Sequence, residues 1–263
     1  MLPNKSPFEK FSIRFAATHD MKRRAIVWFR QDLRLHDNEA LSTALRMAEE
    51  VIPIYVFDER VFMGKTRFGF PKTGKFRAKF IIESIADLRD NLQKLGSDLV
   101  VRTGKPETVI ADLARDLKVS WVLCNRERTQ EEVFVQDALE QKLWASGVEL
   151  LYTRGKMLYH TQDLPVPVHH MPDSFTQFRK ENEQITPVRE PLPSPTAVPL
   201  LPAGIEKGLI PGLADFGFEE FEPDARAVLP FRGGETEALR RLRHYFWEKD
   251  QVATYKETRN GLI

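Results

Sequence analysis

A doubly wound α/β fold with a five-stranded parallel sheet is what residues 25–153 predict. Three observations carry that expectation. Short apolar runs rich in β-branched and aromatic residues recur five times. Each of the first four is followed by a stretch whose apolar residues return every three or four positions, the period of one helix face. Glycine or proline marks the junctions at Gly96, Gly104, Pro106 and Gly147. Strands alternating with helices need crossovers, and these give a parallel sheet covered on both faces. Right-handed crossovers narrow the order to the flavodoxin-like (Rossmann-like) 3-2-1-4-5.

The first strand is Ala25–Phe29, followed by a dense polar turn. Asp37 or Asn38 then caps a helix that carries Ala40, Leu41, Ala44 and Leu45 on one face. Val51–Phe57 is the second strand, and Pro53 should lie near its start, because proline donates no ladder hydrogen bond. A glycine-punctuated loop spans 58–74. Ile81, Ile85, Leu88, Leu92 and Leu95 mark a long helix that Gly96 ends. Leu99–Val101 is the third strand, and Pro106 opens a helix bearing Val109, Ile110, Leu113 and Leu117. Trp121–Cys124 is the fourth strand. A helix from Thr129 runs through Leu139 and Leu143 to Gly147, and Val148–Tyr152 closes the sheet.

Beyond residue 153 the character changes. Residues 154–186 are loop-rich, with one helical candidate at Ser174–Glu183. Nine of the seventeen prolines fall between 187 and 232, which excludes long helices and central strands there. The apolar residues of that connector (Leu192, Leu200, Leu201, Ile205, Leu209, Phe216, Phe218 and Phe221) argue that it packs on a surface. Glu235–Val252 reads as one amphipathic helix with Leu239, Leu242 and Phe246 on a face. The expected organisation is an extension at 1–20, an α/β domain at 21–160, a connector at 161–232, and the first helix of a further helical domain at 233–263, whose remainder is absent from the chain.

The totals exclude several classes of function. A formal charge of +1 gives no bulk attraction to nucleic acid. The single cysteine, Cys124, forbids an internal disulfide and suits a reducing compartment, so the expected location is cytoplasmic, or an organelle or nucleus in a eukaryote. No apolar run approaches the length of a membrane span. Residues 1–20 lack a hydrophobic period and read as disordered. Basic residues, serines and phenylalanines between Lys5 and Arg14 faintly suit a transit peptide, Glu9 and Asp20 count against it, and Met21 is an alternative start. The turn after the first strand has no glycine, which argues against a dinucleotide fingerprint and nicotinamide-dependent hydride transfer. His169–His170 has no carboxylate partner at metal-ligand spacing, and a nucleophile elbow and a Walker loop are missing. Trp28, Trp121, Trp144 and Trp247 are assigned mostly to core or interface.

The string Trp28-Phe29-Arg30-Gln31-Asp32-Leu33-Arg34-Leu35-His36-Asp37-Asn38 resembles the opening motif of the cryptochrome/DNA photolyase family. Further blocks resemble its DASH class: Phe68 to Ala78, Leu95 to Glu107, Pro172 to Lys180, and Thr254 to Leu262. The resemblance implies an amino-terminal α/β domain with an antenna pterin, methenyltetrahydrofolate, and a helical domain with FAD. It also implies light-driven repair of cyclobutane pyrimidine dimers, preferentially in single-stranded DNA. On the same resemblance, Glu131 and Glu132 match the antenna position, where relatives show an Asn-Glu pair instead of Glu-Glu. A carboxylate suits a pterin edge, whose adjacent N–H donors it can accept together. The plain alternative is that both acids favour a helix N-terminus. Tyr255 matches a tyrosine that contacts the flavin phosphates, or is a packed aromatic at a helix end. With only that edge segment present, FAD is not expected to bind this chain alone. The reading opposed to the antenna part of a photolyase is a free-standing α/β module that binds a nucleotide, a pterin or a protein without catalysis.

Overall fold

The computed structural model describes residues 22–222 and 231–259. The expectation of disorder for 1–20, and Asn260 of the last sequence block, lie outside the described residues. Five parallel strands are observed: β1 (Arg24–Phe29), β2 (Glu50–Asp58), β3 (Val100–Gly104), β4 (Trp121–Asn125) and β5 (Glu149–Thr153). Their order is β3-β2-β1-β4-β5, as the crossovers required. The helices between them are α1 (Glu39–Met47), a single turn α2 (Glu59–Phe62), α3 (Lys75–Lys94), α4 (Pro106–Asp116) and α5 (Gln130–Ala145).

The alternation of side chains along β1 explains why the sheet is covered twice. Ala25, Val27 and Phe29 face α1 and α3, where they meet Leu41, Ile85, Leu88 and Leu92. Ile26 and Trp28 face α4 and α5, against Ile110, Ala114, Leu139 and Leu143. Every residue from Ala25 to Phe29 is buried, so β1 is the axis of two cores. Asn38 rather than Asp37 caps α1, accepting the Leu41 N–H at 3.0 Å, while Asp37 takes a left-handed turn. Pro53 sits inside β2 rather than near its start. It is tolerated because pairing with β3 begins only at Ile54, so a single neighbour strand lies beside it.

The connector follows the unit with little regular structure apart from α6 (Phe175–Ile185) and a 3₁₀ turn at Ala214–Phe216. It packs through a few anchors. Val198, Leu213 and Phe216 are buried, and the Phe216 ring lies 5.2 Å from Phe57 and 4.8 Å from Phe62. Leu201 and Ile205 touch the second core, whereas Leu200 and Leu209, expected to pack, face solvent. Along β3 the connector runs close enough for Val101 N–H to donate to Lys207 C=O at 2.7 Å. A side chain at Gly208 would stand 2.1 Å from the Val101 carbonyl oxygen.

Two expectations need correction. The single helix at 235–252 is in fact α7 (Glu235–Arg243), then a π-helical turn at His244–Glu248, a 3₁₀ turn, and α8 (Tyr255–Thr258). Asp250, at φ +46°, interrupts it, a backbone conformation that no helix interior accepts. Trp144 and Trp247 are exposed, so of the four tryptophans only Trp28 and Trp121 belong to the core. Trp144 follows buried Leu143 and so lies about 100° round α5 from the core stripe.

Candidate functional site

A cavity of about 840 Å³ opens at the carboxyl ends of β1 and β2, on the edge of the sheet where ligands gather in open α/β folds. Its floor is Trp28 from β1, Arg30 just after it, and Tyr55 from β2. Its sides are the start of α3, with Arg77 and Ile81, and the start of α5, with Glu131, Glu132, Phe134 and Val135. The topology places these groups together because each strand ends on this edge and each helix begins there.

The floor is tied down by a buried polar network. Arg30 donates to Gln136 Oε1 at 2.6 Å and lies over the Trp28 ring, 4.3 Å from its centroid. Gln136 Oε1 also accepts the Glu127 N–H at 2.7 Å. Asp32 takes the Arg30 N–H at 2.8 Å on one oxygen and Asn125 Nδ2 at 2.6 Å on the other. Asn125 Oδ1 in turn accepts Thr153 Oγ1 and the Gly155 N–H. Three strand ends are thereby fixed relative to one another. Among the described residues no carboxylate forms an ion pair with Arg30. Burial pushes the Glu127 carboxyl above the ordinary range, against its ion pair with Lys156. Burial likewise raises the Tyr55 phenol, so it stays protonated. Cys124, in the same strand as Asn125, is pushed by burial up to about 12 and is inert as a nucleophile.

Not every charge at the cavity is free for a ligand. Arg60 is consumed by Asp58 and Glu107, with contacts of 2.7–2.9 Å to both carboxylates. Arg77 makes no hydrogen bond or ion pair among the described residues. The two candidate carboxylates differ. Glu131 is exposed and bound through both oxygens by Lys72 at 2.7 and 2.8 Å. Glu132 is half-buried, and only its Oε2 is engaged, by Thr129 Oγ1 at 2.7 Å. Tyr255 is exposed in α8 and lines neither this cavity nor a smaller one beside α7. The structure therefore brings Glu131 and Glu132 to one rim and leaves Tyr255 apart. The ring centroids of His169 and His170 lie 4.2 Å apart with the planes tilted at 58°, and no metal-binding cluster occurs among the described residues.

Sequence reasoning missed Arg30, Lys72 and Arg77 as cavity groups and Gln136 as the buried partner of Arg30. Gln136 carried a signal: it is a polar residue one turn before Leu139 on the buried face of α5, and such a position needs partners.

The DNA photolyase family model matches residues 25–197. The chain belongs to the DNA photolyase family. Within it, the similarity to DASH cryptochromes extends through most of the chain. The Cryptochrome DASH of Gloeobacter violaceus is 47% identical over 238 residues, which cover 90% of this chain and 47% of that protein. The Cryptochrome DASH of Xenopus laevis is 46% identical, covering 90% of this chain and 46% of its own length. The chain thus spans about half the length of the relatives it matches. Among solved structures, the cryptochrome of Synechocystis sp. PCC6803 superposes with a TM-score of 0.86 at 40% identity, covering 92% of this chain and 50% of that one. An archaeal photolyase from Sulfolobus tokodaii, solved with two FAD molecules and described as implying a novel light-harvesting cofactor, gives 0.67 at 27% identity, over 82% and 45%. No helix among the described residues of this photolyase-family chain is long and apolar enough to cross a membrane.

Proposed function

We propose that this chain provides the antenna side of a DASH-type cryptochrome/photolyase and holds methenyltetrahydrofolate at the cavity mouth, with Glu132 as the polar anchor. The observation that carries this reading is the division of labour between the two adjacent acids. Lys72 neutralises Glu131, while Glu132 keeps an oxygen without a protein partner among the described residues, half-buried beside aromatic walls. The Lys72 pair also gives a reason why Glu-Glu can stand where relatives show Asn-Glu: only one net negative charge remains beside the ligand.

The residues present suit a pterin. Its adjacent N–H donors match a carboxylate acceptor. Trp28, Tyr55 and Phe134 supply aromatic surface to the lining. The volume falls in the range of small-molecule sites. When bound, the pterin would supply near-ultraviolet absorption and pass its excitation to a flavin. What the chain contributes is orientation: the Arg30–Gln136–Glu127 network immobilises the floor, and Thr129 fixes the rotamer of Glu132.

For a complete protein that contains this chain the proposal extends to FAD, held with help from Tyr255 at its edge, and to light-driven repair of pyrimidine dimers in single-stranded DNA; FAD is not expected to bind this chain alone. Titrating the chain with methenyltetrahydrofolate, followed by near-ultraviolet absorbance, tests the antenna reading. Glu132→Gln replaces one acceptor by a donor facing a donor, and affinity should fall about tenfold, ~1.4 kcal/mol. Glu131→Gln should change it much less. Equal affinity for wild type and Glu132→Gln would remove Glu132 from the site, and a larger loss for Glu131→Gln would assign the anchor to its neighbour.

A further inference from the structure

The start of α7 is attached to the α/β unit almost entirely by carboxylates that meet backbone N–H groups. Glu83, on α3, accepts the Gly233 N–H at 2.9 Å, and Asp87, one turn further on, accepts the Thr236 N–H at 3.1 Å. Asn91 extends this row, donating to both Asp87 and Thr236 Oγ1. These side chains of α3 do for α7 what its own N-cap cannot, since that residue is Gly234. Glu235 reaches the opposite way. Its two oxygens accept the N–H groups of Leu35 and His36, at 2.7 and 2.8 Å, in the loop joining β1 to α1.

Two glycines make the approach possible. A Cβ on residue 233 would lie 2.0 Å from the Phe80 carbonyl oxygen. At 234 it would lie 2.7 Å from Asp87 Cβ, and φ there is +115°, which side chains rarely adopt. By contrast, α7 has no buried residue; Leu239 and Leu242 are about half exposed. Apolar packing therefore does little to orient α7, and the polar contacts set where it lies.

We propose that Gly233–Gly234–Glu235 is a positioning key: it fixes the direction in which the chain leaves the α/β unit, and Glu235 couples that direction to the wall of the ligand cavity. The loop it grips also carries Arg30 and Gln31, which line the cavity. Gln31, Arg77 and Ile81 are shared between that cavity and a second one of about 520 Å³ bounded by the loop, α3 and α7. The wall between the two spaces is thus held on one side by the same carboxylate that seats α7. The use of this device in orienting an antenna rests on the antenna reading; the key itself does not.

The test places spin labels on Trp144→Cys in α5 and Arg243→Cys in α7, both exposed, and measures their separation in the 263-residue chain. The only native cysteine is buried. The parent should give one narrow distance. Glu235→Gln, which keeps the shape but turns an N–H toward an N–H, should broaden it and speed amide exchange at Leu35 and His36 at least tenfold. Exchange in β1 and β4, and the midpoint of global unfolding, should stay in place. Glu235→Asp, one methylene short, should not restore the narrow distance, and Gly233→Ala should broaden it further. An unchanged distance and unchanged exchange in Glu235→Gln would overturn the proposal. So would a fall in global stability with the distance kept, since Glu235 would then be a stabilising contact only. A failure of folate to bind the parent chain would sink the antenna reading and leave these measurements to judge the key.

Discussion

Residues 24–153 and residues 154–259 are held by different physics. In the first stretch the central strands β1, β2 and β4 are buried along nearly their whole length, and two apolar cores on opposite faces of the sheet share β1. In the second, the buried apolar side chains among the described residues are Val198, Pro202, Leu213 and Phe216, and attachment otherwise relies on backbone contacts and carboxylates spaced along the chain. The lesson is a division of tasks. Burial of area makes the sheet stable but is indifferent to small rotations. A hydrogen bond adds little net stability and fixes direction closely. The sheet supplies the free energy, and the polar contacts decide where everything else lies on it.

That comparison breaks most visibly in the core. Phe57 is fully buried, with its ring 4.9 Å from those of Tyr55 and Phe62. Phe57→Ala should lower the unfolding free energy by about 3–5 kcal/mol, read from urea denaturation. Phe216, its partner from the connector, offers the same chemistry in the other region. Phe216→Ala should lower global stability by roughly half as much, with its main effect local: faster proteolysis around 199–222. Equal losses in the two variants would mean that the connector folds as part of the core, and the distinction would collapse.

A smaller effect sharpens the contrast by pH. Asp98, between α3 and β3, is nearly inaccessible and is met by Lys207 at 2.7 Å, Gln93 and the Leu99 N–H. Burial pushes its carboxyl upward, but these three donors outweigh it and hold the group below the ordinary carboxylate range. A carboxylate depressed in the folded state stabilises at any pH above its unfolded value, about 4, and loses that contribution as pH falls through the folded value. Acidification below about pH 4 should therefore loosen the connector at Lys207 before the sheet, seen as faster exchange of the Val101 amide. Asp98→Asn should produce a similar loosening at neutral pH, by about 1–3 kcal/mol, and flatten the response to acid.

The sheet was legible because its signals are local. The alternation that buries Ile26 and Val27 on opposite faces, and the period that aligns Ile85, Leu88 and Leu92, are properties of short windows. Five strands and their order follow from such windows and one handedness rule. The rim of the site was half legible: the position of Glu131 and Glu132 came from the family blocks, but which of them is free depends on Lys72, 59 residues away from Glu131. Glu235 and Leu35 are separated by 200 residues, and no periodicity foretells their contact. The break after Arg243 escaped because the apolar spacing continues through Phe246, while the backbone turns at Asp250.

The path of the connector along β3 has one more consequence. β3 is the last strand on its side, and an uncovered strand of that kind presents free N–H and C=O groups that recruit further strands, from a second copy as readily as from anywhere else. Here the outward Val101 N–H is already taken by Lys207, and Arg102 holds the Glu206 carbonyl at 2.7 Å. The Glu206–Gly208 segment thus occupies part of this edge, and Pro202 and Pro211, which have no N–H to donate, flank it on either side. An α/β unit ended at residue 160 would keep all five strands and lose its protection from self-association.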